Sequence, residues 1–149
     1  MTIRFYTPRF YVFNNFSAHA IEFEGKLYPT AEHAYQAAKC TDPRGQEEIR
    51  NARSPLYAKE ISNGTYRSAR DADWDSKKLD VVEAILRAKL AQHQEARGAL
   101  RDSGDEEIIE DSPTDYFWGV GADGTGRNML GRLWMKLRQE FEDMPTRAD

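Results

Sequence analysis

The chain has 149 residues, 40% of them apolar and 31% charged, with a formal net charge of −4. That is one domain's worth of chain with enough apolar material for a core, which excludes a disordered chain and a protein that coats nucleic acid by neutralising phosphates. One cysteine, Cys40, excludes an intrachain disulfide framework, and His19, His33 and His93 stand too far apart for zinc-ligand spacing, so no metal and no other cofactor is expected.

The first thirty residues read as short strands and turns. Ile3 to Tyr6 is a candidate strand, and Phe10 to Phe13 is a second apolar-aromatic run of the same kind. Ala20 to Phe23 and Lys26 to Tyr28 flank Glu24-Gly25, which predicts a tight hairpin. Helices follow. Thr30 predicts the cap of a helix running to about Cys40, Asp42-Pro43 opens a second through about Arg53, and Ser54-Pro55 opens a third that ends at Asn63-Gly64.

Asp75 or Ser76 is expected to cap the longest helix, on which Leu79, Val82, Ile85, Leu86, Leu90 and His93 form one apolar stripe. Another helical piece ends near Ser103-Gly104. The acidic stretch Asp105 to Asp111 reads as an exposed, helix-capping run. The last helix is expected from about Arg127 to Glu142, burying Met129, Leu130, Leu133, Trp134, Leu137 and Phe141. Residues 143–149 read as a frayed tail. Repeated strand-helix-strand crossovers are not evident, so the expected fold is α+β: a predominantly helical single domain over residues 1–149 with a small antiparallel sheet.

No run approaches about 18 apolar residues, and the first ten residues lack the apolar core of a secretory signal, so the expected setting is the cytoplasm, away from membranes. The cations lean towards arginine, which suits phosphate oxygens; Arg4, Arg9, Arg67, Arg70 and Arg127 are candidates for a local basic pocket.

Within the first helix, Glu32 lies in the opening turn, where the dipole favours its ionised form. Lys39 follows seven residues later, and at roughly 100° per residue both project from one face, with Gln36 between them and Tyr35 beside. Ala34, Ala37 and Ala38 line the opposite side and permit close packing. A solvated polar face explains the same pattern. GVGADG, residues 119–124, satisfies a glycine fingerprint, but no apolar strand precedes it and no helix opens at once, so dinucleotide binding of the Rossmann kind is rejected. The amides at the start of the last helix, with Arg127 and Asn128, offer a place for a phosphate; a plain turn and cap is the other reading.

Three blocks together resemble the NADAR (YbiA-like) family: FNNFSAHAIEFEGKLYPTAEHAYQAAK at 13–39, Trp74 with the long helix after it, and IEDSPTDYFWGVGADGTGRNMLGRLWMKLR at 109–138. The chain departs from the family pattern at Phe13 to Phe16, where Leu-Ser-Asn-Phe is common, and at Leu90, where Phe often follows the lysine matching Lys89. The resemblance implies a metal-independent N-glycoside hydrolase whose substrate is ADP-ribosylated guanine, as nucleotide or within nucleic acid, or a ribosylamine phosphate intermediate of riboflavin synthesis; the first is favoured slightly. A module that binds NAD or ADP-ribose without hydrolysis is the competing expectation.

Under that resemblance, Glu32, Lys39 and Asp115 are the catalytic candidates. Glu32 stabilises charge at the anomeric carbon. Lys39 binds a phosphate or hydroxyl, or attacks a ring-opened sugar as an amine, and Asp115 carries a proton or orients a ribose hydroxyl. Trp74 and Trp118 are candidate stacking platforms for the base, with Asn15, Gln36, Gly119, Arg127 and Asn128 as further substrate contacts. The early helix and the Asp115–Trp118 segment are expected to meet across a sugar-sized cleft.

Overall fold

The computed structural model describes residues 2–4 and 8–142. In chain order the elements are β1 (Thr2–Arg4), a 3-10 helix (Pro8–Phe13), β2 (Ile21–Phe23), β3 (Lys26–Tyr28), α1 (Ala31–Lys39), α2 (Pro43–Arg50), α3 (Pro55–Asn63), a short 3-10 turn (Arg67–Ala69), α4 (Trp74–Gln92), α5 (Gln94–Asp102), β4 (Glu107–Ile109) and α6 (Met129–Glu142). The α+β, mostly helical architecture agrees with expectation. Backbone contacts divide the chain into two compact units: a contiguous one, Asn15–Gln94, and one formed by both flanking segments, Met1–Asn14 with Glu95–Asp149.

The contiguous unit opens with the expected hairpin. Strand β2 pairs antiparallel with β3 in the register Ile21↔Tyr28, Glu22↔Leu27, Phe23↔Lys26. Glu24 and Gly25 both take positive φ, 49° and 82°, the backbone of a two-residue turn whose twist matches the strands. Local sequence then dictates three helix starts. Thr30 accepts from the His33 amide, Asp42 from Arg44 and Ser54 from Tyr57, while Pro43 and Pro55 stand where a missing N–H costs nothing. Two apolar clusters lock α1 in place. Ala37 and Cys40 pack with Ile49, Ala52 and Ala58, and Ala31 and Ala34 pack with Ile21 and Ile85. The small side of α1 is thus its packed side.

Helix α4 starts at Trp74, earlier than expected, and neither Asp75 nor Ser76 caps it. The turn before it is set by Asp71, whose carboxylate accepts from the Asp73 amide and pairs with Lys77 at 2.8 Å. Val82, Ile85 and Leu86 are buried as expected. His93 stands just past the helix end and spends its ring on the Ala20 carbonyl, a packed histidine.

The flanking unit departs further from expectation. The aromatic run Phe10 to Phe13 is helical, because Phe13 buries its ring against Trp134 at 4.9 Å and stacks with Phe10 at 5.9 Å. The Trp134 indole also donates to the Phe13 carbonyl at 3.0 Å. Strand β1 covers Thr2–Arg4; Phe5 and Tyr6, the rest of that expected strand, lie outside the described residues, as do the Arg9 side chain and the expected frayed tail. The acidic run near Asp105 contains β4, whose Ile108 is fully buried, and β4 pairs parallel with β1. The described residues thus hold a parallel pair as well as the antiparallel hairpin, as two separate two-stranded sheets. Helix α6 starts two residues later than expected and seats Gly131 against the Ile108 carbonyl, where an added Cβ would stand 2.1 Å from the oxygen.

Candidate active site

The structure brings Glu32, Gln36, Lys39 and Trp74 together within the contiguous unit, with Tyr35 among them. Glu32 is 6% exposed, Gln36 2% and Lys39 7%, so the shared face predicted from spacing is an enclosed one, and the solvated reading is wrong. Gln36 Nε2 donates to Glu32 Oε2 at 3.4 Å, which fixes the amide's orientation and leaves Gln36 Oε1 buried without a partner. Asn15 accepts the Glu32 amide on its main-chain oxygen at 3.0 Å, and its side-chain Oδ1 is likewise buried and unpartnered. A buried acceptor without a protein partner costs about 1–3 kcal/mol, so these two oxygens can accept from hydroxyl or amine donors.

Lys39 Nζ donates to Asn63 Oδ1 at 2.9 Å and lies over the Tyr35 ring at 5.7 Å. Burial pulls its pKa down to about 8; Arg70, Lys59 and Lys78 push the same way, and the Glu32 carboxylate only partly opposes them. At that value a useful fraction of the amine is neutral near physiological pH. Trp74, 5% exposed, packs against Tyr35 at 5.5 Å with the rings tilted by 55°. Its indole is covered, and half-buried Tyr35 links it to Lys39.

Asp115, Trp118, Gly119, Arg127 and Asn128 belong to the flanking unit. Asp115 Oδ1 accepts from the amides of Phe117 and Trp118 at 2.9 and 2.7 Å, so it shapes its own turn. Trp118 is half-buried with Phe117 edge-on at 4.8 Å, and exposed Arg127 stands over the Phe117 ring. Gly119 leaves no room for a side chain against the Glu110 and Asp115 carbonyls. Asn128 is buried at φ 51°, accepting from Glu110 N–H and donating to the Ile108 carbonyl. The amides expected to be free at the start of α6 are taken. Arg127, Asn128, Met129 and Leu130 donate to the carbonyls of Tyr116, Gly119, Phe117 and Trp118. The glycine-rich loop thus folds back onto the helix start. A cleft of about 270 Å³ beside this loop includes Arg4, whose charge Asp111 answers at 2.7 Å.

Sequence reasoning missed Asn63 as a partner of Lys39, because Asn63-Gly64 reads as a helix end. It also missed Lys89, which is fully buried and donates to the equally buried Ser17 Oγ at 2.7 Å. A signal existed: position 89 continues the stripe of Val82, Ile85 and Leu86. Among the described residues, no group of three or more His, Cys, Asp or Glu side chains is placed to hold a metal ion, and no helix is long and apolar enough to cross a membrane.

The NADAR domain family model matches residues 4–142. The chain belongs to the NADAR family. It is 39% identical over 129 residues to N-glycosidase YbiA of Escherichia coli strain K12, covering 87% of this chain and 80% of that protein. It is 37% identical to the riboflavin biosynthesis protein VVA0006 of Vibrio vulnificus over 87% of this chain but only 35% of that longer one. The solved NMR structure of E. coli YbiA superposes with a TM-score of 0.86 at 34% identity, covering 100% of this chain and 94% of that one. The same α+β fold in YbiA supports the NADAR assignment made from the three sequence blocks.

Proposed function

We propose that this NADAR protein is an N-glycosidase that hydrolyses the bond between a phosphorylated ribose and an amine-type nitrogen. The observation that carries it is the enclosed row Glu32–Gln36–Lys39, a buried carboxylate on the same helical face as an amine with a pKa of about 8. Breaking such a bond builds positive charge at the anomeric carbon. An ionised Glu32 stabilises that charge and positions the attacking water. The unmet oxygens of Asn15 and Gln36 suit the hydroxyl protons of a ribose.

Lys39 supports a second route for the same overall reaction. The glycosidic nitrogen pushes its lone pair towards the anomeric carbon, the ring carbon–oxygen bond breaks, and the ring oxygen takes a proton. The neutral Lys39 amine then adds to that carbon, the substrate amine leaves with a proton, and water releases the sugar from the resulting Schiff base. By the resemblance Asp115 stays a catalytic candidate and Trp118 a stacking candidate, and metal-independent turnover in a reducing cytoplasm belongs to the same reading.

Two substrates fit: a small ribosylamine phosphate and ADP-ribosyl guanine. The name of the Vibrio relative favours the first, reversing the slight preference drawn from sequence. The deciding experiment assays wild type, Glu32→Gln and Trp118→Ala on both substrates with chelator present, and adds borohydride during turnover. Glu32→Gln is expected to lose about 100-fold or more in kcat at unchanged Tm. A wild type that binds ADP-ribose yet cleaves neither substrate makes the chain a binding module. Turnover with no borohydride-trapped adduct removes the Schiff base route.

A further inference from the structure

Beside the Glu32–Lys39 row, the contiguous unit holds a cluster made almost wholly of hydrogen-bond donors. Asn63 Oδ1 accepts from Lys39 Nζ at 2.9 Å and from Arg70 Nη2 at 3.0 Å. Both partners are pure donors, so the amide orientation is unambiguous: its oxygen is used and its NH2 points elsewhere. No acceptor among the described residues takes those two protons. Lys59 stands one turn before Asn63 on α3, hence on the same helix face, and forms no ion pair among the described residues. Arg70 is fixed beside the end of α1 by a bridge between its backbone and that of Cys40 and by the Asp71 amide donating to the Lys39 carbonyl. Its remaining guanidinium N–H groups are unmatched among the described residues.

This arrangement asks for an explanation. Two cations share one neutral oxygen where a carboxylate of the same shape would neutralise them, and their repulsion helps hold the Lys39 pKa down. Asparagine at position 63 anchors both side chains while leaving their positive charge available. It adds two more donors to the same spot.

We infer that Arg70, Asn63 and Lys59 form a phosphate subsite, which takes the phosphate of the ribosyl substrate and leaves Lys39 and Glu32 to the sugar. The inference rests on the N-glycosidase reading for the identity of the ligand, but not for the binding chemistry. The Arg70 guanidinium and the Asn63 amide meet directly, and Lys59 follows one turn back on the same helix face, a donor set that suits an oxyanion; the adjacent Asp71 carboxylate is already paired with Lys77. A ribose monophosphate and the diphosphate of ADP-ribose present the same group, so the two sources are separated by the probes used.

The test is calorimetric titration of the full chain with inorganic phosphate, pyrophosphate, ribose 5-phosphate and ADP-ribose, for wild type, Arg70→Ala, Arg70→Lys and Asn63→Asp. Saturable binding by wild type is expected, weakened about 10- to 100-fold in Arg70→Ala and in Asn63→Asp at unchanged Tm, with partial recovery in Arg70→Lys. Asn63→Asp keeps the shape of the side chain and supplies the missing negative charge, so it tests the chemistry even if Arg70→Ala perturbs the loop. Tighter binding of ribose 5-phosphate than of ADP-ribose assigns the site to a monoester, and the reverse assigns it to a diphosphate. Wild type without saturable anion binding, or variants that bind as wild type does, overturns the subsite. Binding as expected without any N-glycoside cleavage leaves the subsite standing and removes the N-glycosidase reading. Cleavage with KM unchanged in both variants does the opposite.

Discussion

The two units of the chain treat their polar groups in opposite ways. In the flanking unit, the conspicuous ones hold the fold. Asp115 ties two amides of its turn, Asn128 clamps the Ile108 carbonyl and the Glu110 amide at the end of β4, and the carbonyls of residues 116–119 receive the amides of residues 127–130 at the start of α6. In the contiguous unit, a carboxylate and a lysine are enclosed, two amide oxygens lack partners, and two cations meet on a neutral oxygen. A glycine-rich loop with an asparagine and an arginine looks more like a ligand site than an alanine-lined helix does. Satisfaction of hydrogen bonds points the other way, since a group already matched inside the protein has little left for a substrate.

The largest expected effect breaks the flanking unit where it is closed most tightly. In Gly131→Ala the new Cβ meets the Ile108 main-chain oxygen, which cannot swing aside, and loss of about 2–3 kcal/mol or more is expected. Thermal melting reads this as a fall in Tm of roughly 4–12 °C; a variant that melts with wild type means α6 does not seat on β4 through that glycine.

Lys39→Met sharpens the other side of the contrast. The folded pKa, about 8, lies below the ordinary 10.5, so keeping this lysine charged weakens the fold at neutral pH. The methionine variant is expected to gain about 1–3 kcal/mol at pH 7 while losing turnover. Between pH 8 and 10.5 the wild-type side chain sheds its proton in the folded state before the unfolded one, so the gain shrinks and vanishes above that range. Urea titrations at pH 7, 9 and 11 check it, and a gain that ignores pH contradicts the burial argument.

The smallest effect belongs to His33, buried between Thr30 and the Ala52 carbonyl with its pKa lowered by burial. The unfolded chain binds a proton below about pH 6.5 and the folded chain resists it, so stability falls as pH drops through that region. His33→Gln flattens that slope in denaturant titrations from pH 7.5 to 5.

Much of the fold was legible because its signals are local. The caps at Thr30, Asp42 and Ser54 and the turn at Glu24-Gly25 depend on neighbours within four positions. The 3-10 run at Phe10 to Phe13 and strand β4 were not legible, because distant partners decide them: Trp134 for the first and β1 for the second. The same division runs through the candidate site. Spacing placed Glu32, Gln36 and Lys39 on one face but carried no information that the face is enclosed. Asn63 and Arg70 reach Lys39 from other elements, so no periodicity within α1 reports them. Lys89 shows a further limit, since a charged residue inside a helical stripe reads as solvent-facing until its buried serine partner is seen.

The pairing of β1 with β4 sets an order of assembly. Thr2 aligns with Glu107, so that edge cannot form on the ribosome until more than a hundred residues have been added. The contiguous unit meets no such delay: its hairpin and four helices come from one unbroken stretch ending at Gln94. Short-range contacts of that kind form early and long-range strand pairing waits, so nascent chains gain the unit carrying Glu32 and Lys39 first. Until β4 emerges, Thr2–Arg4 lacks the partner that makes it a strand.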